Sequence, residues 1–393
     1  MKICIINTFY YPNMIGGAEV CVVKLAEKLS KSGKEVHVIC TGYKDEVEVI
    51  NDVIVHRIKI KNFYSPIEWK NNNNLNPLAL SLYKLMDIYN LFNYNLLKNK
   101  IEDIKPDVVH VNNLYGFSVI IWSVLKKMKI PWIQTVHDYG LLKSNEGIVN
   151  KLKEKLYRKL SEKVDLVTAP SEFTLNKFKE RKFFINAKLQ VVNNGIDINY
   201  DYLKNEVSRK KRVIISKEKI KFVFLGRLEK VKGIVNLIEA FKNIKCNNIE
   251  LIIAGKGTLQ NDVKLLAESD SRIHYVGFLN EIEINKLLKE SDVLIIPSLW
   301  EEPFGMVILE AYKFGIPVIG SNKGGIPEVI DNYKTGRLFN PENKNELVDL
   351  IYYFNEKENI LNMMENCIMQ VEKFNFDIKC REYINLYDYI VCK

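Results

Sequence analysis

Short apolar runs recur along the chain, each followed by a turn rich in glycine, asparagine or proline and then by residues at helical spacing. Lys2–Asn7, Glu35–Cys40, Pro106–Asn112, Pro131–Val136 and Asp165–Ala169 read as strands. They are too continuously apolar to alternate, as parallel strands covered on both faces must be. Between them, Val20–Ser30 sets Val22, Val23, Leu25, Ala26 and Leu29 at amphipathic helical spacing, and Phe117–Lys127 and Lys151–Lys163 read as further helices. Residues 41–60 alternate instead, with Val47, Val49, Val53, Val55, Ile58 and Ile60 apolar, which predicts short strands or a hairpin. The pattern then starts again. Strands are predicted at Lys221–Leu225, Glu250–Ala254, Ile273–Val276 and Asp292–Ser298, with helices at Ile234–Asn243, Leu259–Glu268, Ile282–Lys289 and Met306–Tyr312. Helices at Lys344–Asn355, Ile360–Phe374 and Asp377–Val391 close the chain. Strand alternating with helix throughout predicts an α/β protein with parallel sheets.

Two stretches depart from this pattern. Residues 61–100 combine the run Asn71–Asn74 with Phe63, Tyr64, Trp69, Tyr83, Tyr89, Phe92 and Tyr94, and helical spacing runs through Leu78–Leu97. This predicts a surface loop and one helix, or a face turned to an acceptor or a lipid interface. Residues 198–219 are polar and lysine-rich with no steady period, which predicts an interdomain linker at 201–219. At 393 residues the chain is too long for one ordinary core, so domains are expected at 1–200 and 220–375.

Composition, 47% hydrophobic and 27% charged, is that of a soluble globular protein. No apolar run approaches a membrane span and the start reads as a strand, so a cytoplasmic protein is expected. The cysteines are scattered with no Cys-x-x-Cys pair, which predicts reduced core thiols. Charge divides unevenly: residues 1–200 hold 29 Lys+Arg against 20 Asp+Glu, and residues 201–393 hold 28 of each. The excess belongs to the first half, as solvated surface or as attraction to an anionic bilayer leaflet or acidic acceptor. No nucleic-acid motif accompanies it, so nucleic acid is not an expected partner.

The candidate chemistry sits in the turns. Gly16-Gly17 follows the first strand, where a missing Cβ lets backbone approach a phosphate or sugar. Arg227 and Lys232 lie in a glycine-flanked loop, Gly226 to Gly233, and can neutralise a diphosphate as a fork and a point charge. Gly255-Lys256-Gly257 lacks the third glycine of a dinucleotide fingerprint, which disfavours an oxidoreductase. Pro303 and Gly305 make a strand-to-helix turn whose amides, Gly305 to Val307, suit a phosphate. Glu302 at its mouth and Glu310 beyond it can each accept hydrogen bonds from a pair of hydroxyls. His137 falls past the carboxyl end of a strand, where open α/β sheets bind ligands; the other histidines read as structural.

Glu302-Pro303-Phe304-Gly305, the apolar helix after it and Gly315-Ile316-Pro317 together resemble the C-terminal signature of the retaining GT-B glycosyltransferases, family 4 (glycosyl transferases group 1 type). Gly16-Gly17-Ala18-Glu19, His137-Asp138, Gly226-Arg227-Leu228 and Gly320–Gly325 also match, and Asn193 stands where that family usually has proline. The resemblance covers nearly the whole chain and is weakest over 41–105 and 198–219. It implies two Rossmann-like domains facing across a cleft, an N-terminal acceptor-binding one and a C-terminal donor-binding one, with residues 376–393 as a helix crossing back to the first. It implies transfer of a sugar from a nucleoside-diphosphate sugar, UDP-sugar foremost, to a glycan or lipid-linked hydroxyl acceptor. The setting it implies is cell-surface polysaccharide, lipopolysaccharide or glycolipid synthesis, peripheral on the inner face of a membrane. His137 is then expected to orient the sugar, Glu302 to hold its hydroxyls, Arg227 and Lys232 to stabilise the β-phosphate, and Glu310 to bind the ribose diol. Donor contacts are also implied at Gly16, Gly17, Gly255, Gly277, Phe278, Phe304, Gly305, Met306 and Val307. With no Asp-x-Asp in the chain, no metal or other cofactor is expected. A sugar-nucleotide epimerase or other sugar-nucleotide enzyme on the same fold, and a non-catalytic nucleotide-sugar-binding protein, are the alternatives.

Overall fold

The computed structural model describes residues 1–71, 76–142 and 148–393; Asn72–Asn74 of the asparagine run lie outside them. The chain forms two compact units, residues 1–193 with 376–393, and residues 194–375.

In the first unit the strands are β1 (Lys2–Ile6), β2 (Glu35–Thr41), β3 (Glu46–Ile50), β4 (Val53–Ile58), β5 (Val108–Val111), β6 (Trp132–Thr135), β7 (Leu166–Ala169) and β8 (Lys188–Val191). They form one eight-stranded sheet among the described residues, in the order β3-β4-β2-β1-β5-β6-β7-β8. All neighbours are parallel except β3 and β4, the hairpin that the alternating stretch predicts. Asn51 and Asp52 both take positive φ at its tip, 49° and 62°, as a turn matched to strand twist requires. The order reverses between β1 and β5, a switch point where loops diverge and leave a crevice at the carboxyl ends.

The predicted helix over Leu78–Leu97 is broken in two, Pro77–Met86 and Tyr94–Ile104, with a 3-10 turn at Leu91–Asn93 between them. Buried asparagines cause the break. Asn90 Oδ1 accepts the Phe92 amide at 3.1 Å in place of a helical carbonyl, while Asn90 Nδ2 donates to the Lys61 carbonyl at 2.8 Å and Asn93 Nδ2 to the Gly116 carbonyl at 2.9 Å, anchoring the turn to neighbouring loops. The last helix, Phe376–Val391, packs on the Gly17–Lys31 helix and on β5 in the first unit. Its buried face runs through Phe376, Lys379, Cys380, Tyr383, Leu386, Tyr387 and Ile390, and Tyr387 closes on His110 Nδ1 at 2.7 Å. His110 also meets Thr135 Oγ1 at 2.6 Å, and burial pulls its pKa down to about 3. It is a neutral core histidine.

The second unit carries β9 (Ile220–Leu225), β10 (Ile249–Ala254), β11 (Ile273–Gly277), β12 (Val293–Ile296), β13 (Val318–Ser321) and β14 (Gly336–Phe339). All neighbours are parallel in the order β11-β10-β9-β12-β13-β14, with the switch point between β9 and β12. The stretch 201–219, expected as a linker, is instead mostly helix, Tyr200–Ser216, packed into this unit. Leu203, Val207 and Ile214 are buried, and Lys210 completes the stripe with its stem while its Nζ donates to the Leu288 carbonyl at 3.2 Å. A narrow apolar stripe between lysines lacks a strong period, which is why the sequence reads as irregular. Burial draws the Lys210 pKa down to about 7.

No disulfide joins the cysteines among the described residues; Cys4, Cys21, Cys40, Cys367 and Cys380 are buried. Among the same residues no helix is long and apolar enough to cross a membrane.

Candidate active site

In the second unit, backbone hydrogen bonds draw the loops at the carboxyl edge of the sheet together. The amides of Leu299 and Trp300, after β12, both donate to the Val231 carbonyl, at 2.9 and 3.0 Å, inside the Lys230–Lys232 turn that follows β9. From the loop after β13, Gly325 N donates to the Glu302 carbonyl at 2.6 Å. After β9 and β10, Leu228 N donates to the Lys256 carbonyl and Leu259 N to the Leu228 carbonyl. Two glycines make this approach possible. A Cβ on Gly255 would stand 1.8 Å from the Gly226 carbonyl oxygen, and one on Gly233 1.9 Å from that of Pro297.

The stitching decides where the side chains meet. Lys232 Nζ donates to Glu302 Oε1 at 2.5 Å, and Ser298 Oγ donates to the same oxygen at 2.9 Å. The pair is mostly buried, at 20% and 13% exposure. The sequence reading gave these two residues separate tasks, and the structure joins them. Arg227 stands exposed on the loop after β9, with no ion pair or side-chain hydrogen bond among the described residues. Its field helps hold the Glu229 carboxyl below the usual range, after the larger effect of hydrogen bonds from Thr258.

Glu310 lies inside the Met306–Tyr312 helix with no hydrogen-bond partner among the described residues. Burial pushes its pKa up to about 7; Lys313 offsets part of this and Glu281 adds to it. Gly305 opens that helix at φ 101°, and no side chain caps it. Met306 and Val307 form its first turn, half-buried. The Phe304 ring is 2% exposed and packs edge-on against Phe374 at 5.7 Å, which leaves its backbone to face the turn. Its side chain belongs to the core, because an apolar ring beside the turn gains more from burial than from facing a polar ligand. Gly277 ends β11 and its carbonyl accepts the Gly255 amide at 2.7 Å. Phe278 beside it is 64% exposed, with Lys256 Nζ 4.6 Å from its ring centre.

In the first unit, Gly16 precedes the Gly17–Lys31 helix and both glycines are exposed. The Gly16 amide is not open to a phosphate as the sequence reading has it, because it donates to Glu19 Oε2 at 2.9 Å. Asn113 Nδ2 donates to the other Glu19 oxygen at 3.2 Å, tying this loop to the one after β5. His137, past the end of β6, meets Asn112 Oδ1 through Nε2 at 2.8 Å. Asn112 turns its amide NH2 to the His110 carbonyl at 3.4 Å, so the oxygen faces His137 and Nε2 carries the proton. Nδ1 is then a buried lone pair without a hydrogen-bond partner among the described residues, and burial lowers the ring's pKa to about 4. At neutral pH the ring is therefore uncharged, with Nδ1 as an acceptor. Sequence reasoning passed over Asn112 and Ser298; each lies just past a strand at its sheet's switch point, which was the available signal.

The family models for glycosyl transferases group 1 and for glycosyltransferase family 4 match residues 206–374 and 15–200. The chain belongs to the group 1 glycosyltransferases. This glycosyltransferase is 31% identical to an uncharacterized 42.6 kDa Klebsiella pneumoniae protein in a cps region, over 84% of this chain and 87% of that one. Its fold is GT-B. It superposes on a sucrose-phosphate synthase from Thermosynechococcus elongatus with a TM-score of 0.77 at 18% identity, covering 100% of this chain and 99% of that chain. With Anabaena HepE, solved in complex with UDP, the TM-score is 0.74 at 19% identity, covering 99% and 100%.

Proposed function

We propose that this glycosyltransferase moves a sugar from a UDP-sugar to an acceptor hydroxyl with retention of anomeric configuration, in the assembly of a cell-surface polysaccharide, lipopolysaccharide or glycolipid. The observation that carries the reading is the Lys232–Glu302 pair at the switch point of the second sheet, with Arg227 on the same loop lacking a counter-ion among the described residues. The UDP complex of the Anabaena structure and the cps-region relative support the donor and the setting.

The bond from the anomeric carbon to the β-phosphate breaks, and the charge that builds on the phosphate is met by Arg227 and Lys232. Glu302 takes hydroxyls of the sugar. The acceptor oxygen bonds to the anomeric carbon on the face the phosphate leaves, and its proton passes to a phosphate oxygen. Fixed cations supply the charge, so turnover is expected to persist in EDTA. Incubating the enzyme with UDP-, GDP- and ADP-sugars and a glycan acceptor, and following the product by NMR, tests the whole. Inverted product, rearranged donor with no second sugar bonded, or activity lost to EDTA and restored by magnesium would each overturn the corresponding part.

Glu310 gives an opposing pair of effects. As a carboxylate it accepts from both hydroxyls of a ribose diol, so donor KM is expected to rise as pH falls below about 7. Its pKa is raised in the folded state, so the native protein holds a proton that the unfolded chain releases between the ordinary 4.5 and about 7. Stability from this group is therefore greatest at low pH and is lost as pH rises through that window. Glu310→Gln abolishes the ionisation: above neutrality it should stabilise the fold by about 1–3 kcal/mol. The same variant should weaken donor binding about tenfold and flatten the pH profile of KM. Thermal melts at acid and alkaline pH, with and without donor, read both signs.

A further inference from the structure

The first unit holds an open pocket of about 80 Å³ at the carboxyl ends of β5 and β6. Asn112, Tyr115 and His137 line it from the loops after those strands, and Asp87, Lys153 and Tyr157 line it from helical segments. Asp87 sits at the end of the Pro77–Met86 helix, where the asparagine-driven break begins. Its Oδ1 accepts the Gly116 amide at 2.8 Å, which fixes the carboxyl and leaves Oδ2 with no hydrogen bond among the described residues. Lys153 and Tyr157 lie one turn apart on the Ile148–Ser161 helix, with Lys153 Nζ 5.1 Å from the Tyr157 ring centre.

Burial pushes the Asp87 carboxyl up to about 7, with the Gly116 hydrogen bond and the Lys153 charge offsetting part of this, and burial pulls Lys153 down. Above neutrality a carboxylate and an ammonium share the pocket, yet no ion pair within 4.0 Å joins them among the described residues. An ammonium and a carboxylate held apart in one pocket match a group that donates to one and accepts from the other. A sugar hydroxyl does both, and a vicinal diol does so across a wider gap. Tyr115 and Tyr157 add aromatic surface for the apolar face of a pyranose. A carboxylate or phosphate would gain Lys153 and be repelled by Asp87, and by Asp138 in the same lining.

We infer that this pocket seats the acceptor as an uncharged pyranose, and that Asp87 is the residue selecting it against an anionic one. The assignment rests on the transferase reading above for the word acceptor, and on the pocket alone for its sugar chemistry. It is tested on the full chain by saturation-transfer NMR with p-nitrophenyl β-glucoside and p-nitrophenyl β-glucuronide, which differ by one carboxylate. Thermal shift with UDP runs in parallel. The glucoside should bind the wild type about tenfold more tightly than the glucuronide. Asp87→Asn should weaken the glucoside about tenfold and close that gap, with the UDP shift unchanged. Lys153→Met, a second variant in case the first folds poorly, should also weaken the glucoside. Preferred binding of the glucuronide, no binding of either glycoside by the wild type, or glucoside binding unaltered in both variants would overturn the inference. A UDP shift with no glycoside binding sinks this pocket's role alone. Glycoside binding as expected with no UDP shift sinks the nucleotide-sugar reading and leaves the pocket as a sugar site.

Discussion

Replacing Arg227 with alanine lowers kcat by about 10²–10³ and leaves the fold intact. The guanidinium is exposed and makes no side-chain contact to a charge or hydrogen-bonding group among the described residues, so removing it leaves nothing buried unpaired. What is lost is its interaction with charge that appears only as the sugar–phosphate bond breaks, so kcat falls further than donor KM rises. Arg227→Lys should recover part of the rate, because an ammonium supplies the charge but not the planar fork. Steady-state kinetics beside thermal melts separate these effects. Unchanged turnover in the alanine variant removes Arg227 from the chemistry.

Lys232 and Glu302 should behave as one unit. Either Lys232→Ala or Glu302→Gln is expected to lower kcat by about 10² or more, because each role needs the other side chain in place. Their contact at 2.5 Å in a mostly buried setting makes the losses non-additive. The double variant should fall short of the product of the single effects by a coupling of about 0.5–3 kcal/mol. A double-mutant cycle on kcat/KM measures it. Strict additivity would show that the pair seen in the structure does not carry into the reaction.

The two sheets were readable because buried parallel strands leave continuous apolar runs, as in Val108–Val111 and Val293–Ile296. The positions of Glu302, Arg227 and His137 past strand ends followed from that reading. Their mutual contacts did not. Lys232 reaches Glu302 only because the amides of Leu299 and Trp300 anchor on Val231, a bond between loops far apart in the chain. Phe304 stands in the turn, and that its ring packs into the core was not legible from its position there. Asp87 was invisible for a related reason: its place depends on Asn90 and Asn93 breaking a helix that the apolar spacing alone predicts as continuous.

The Tyr200–Ser216 helix bears on how the polypeptide can be dissected. Its apolar stripe joins the same core as β9, so a fragment starting at the lysine-rich boundary near 219 would lose a structural wall. The natural cuts lie at 193/194 and 375/376. Just inside them, Ile196 pairs with Asn375 and its amide bonds the Phe374 carbonyl at 2.9 Å, so incoming and outgoing strands are sewn side by side. A donor-binding fragment should therefore be excised as residues 194–375, with both ends of that seam retained.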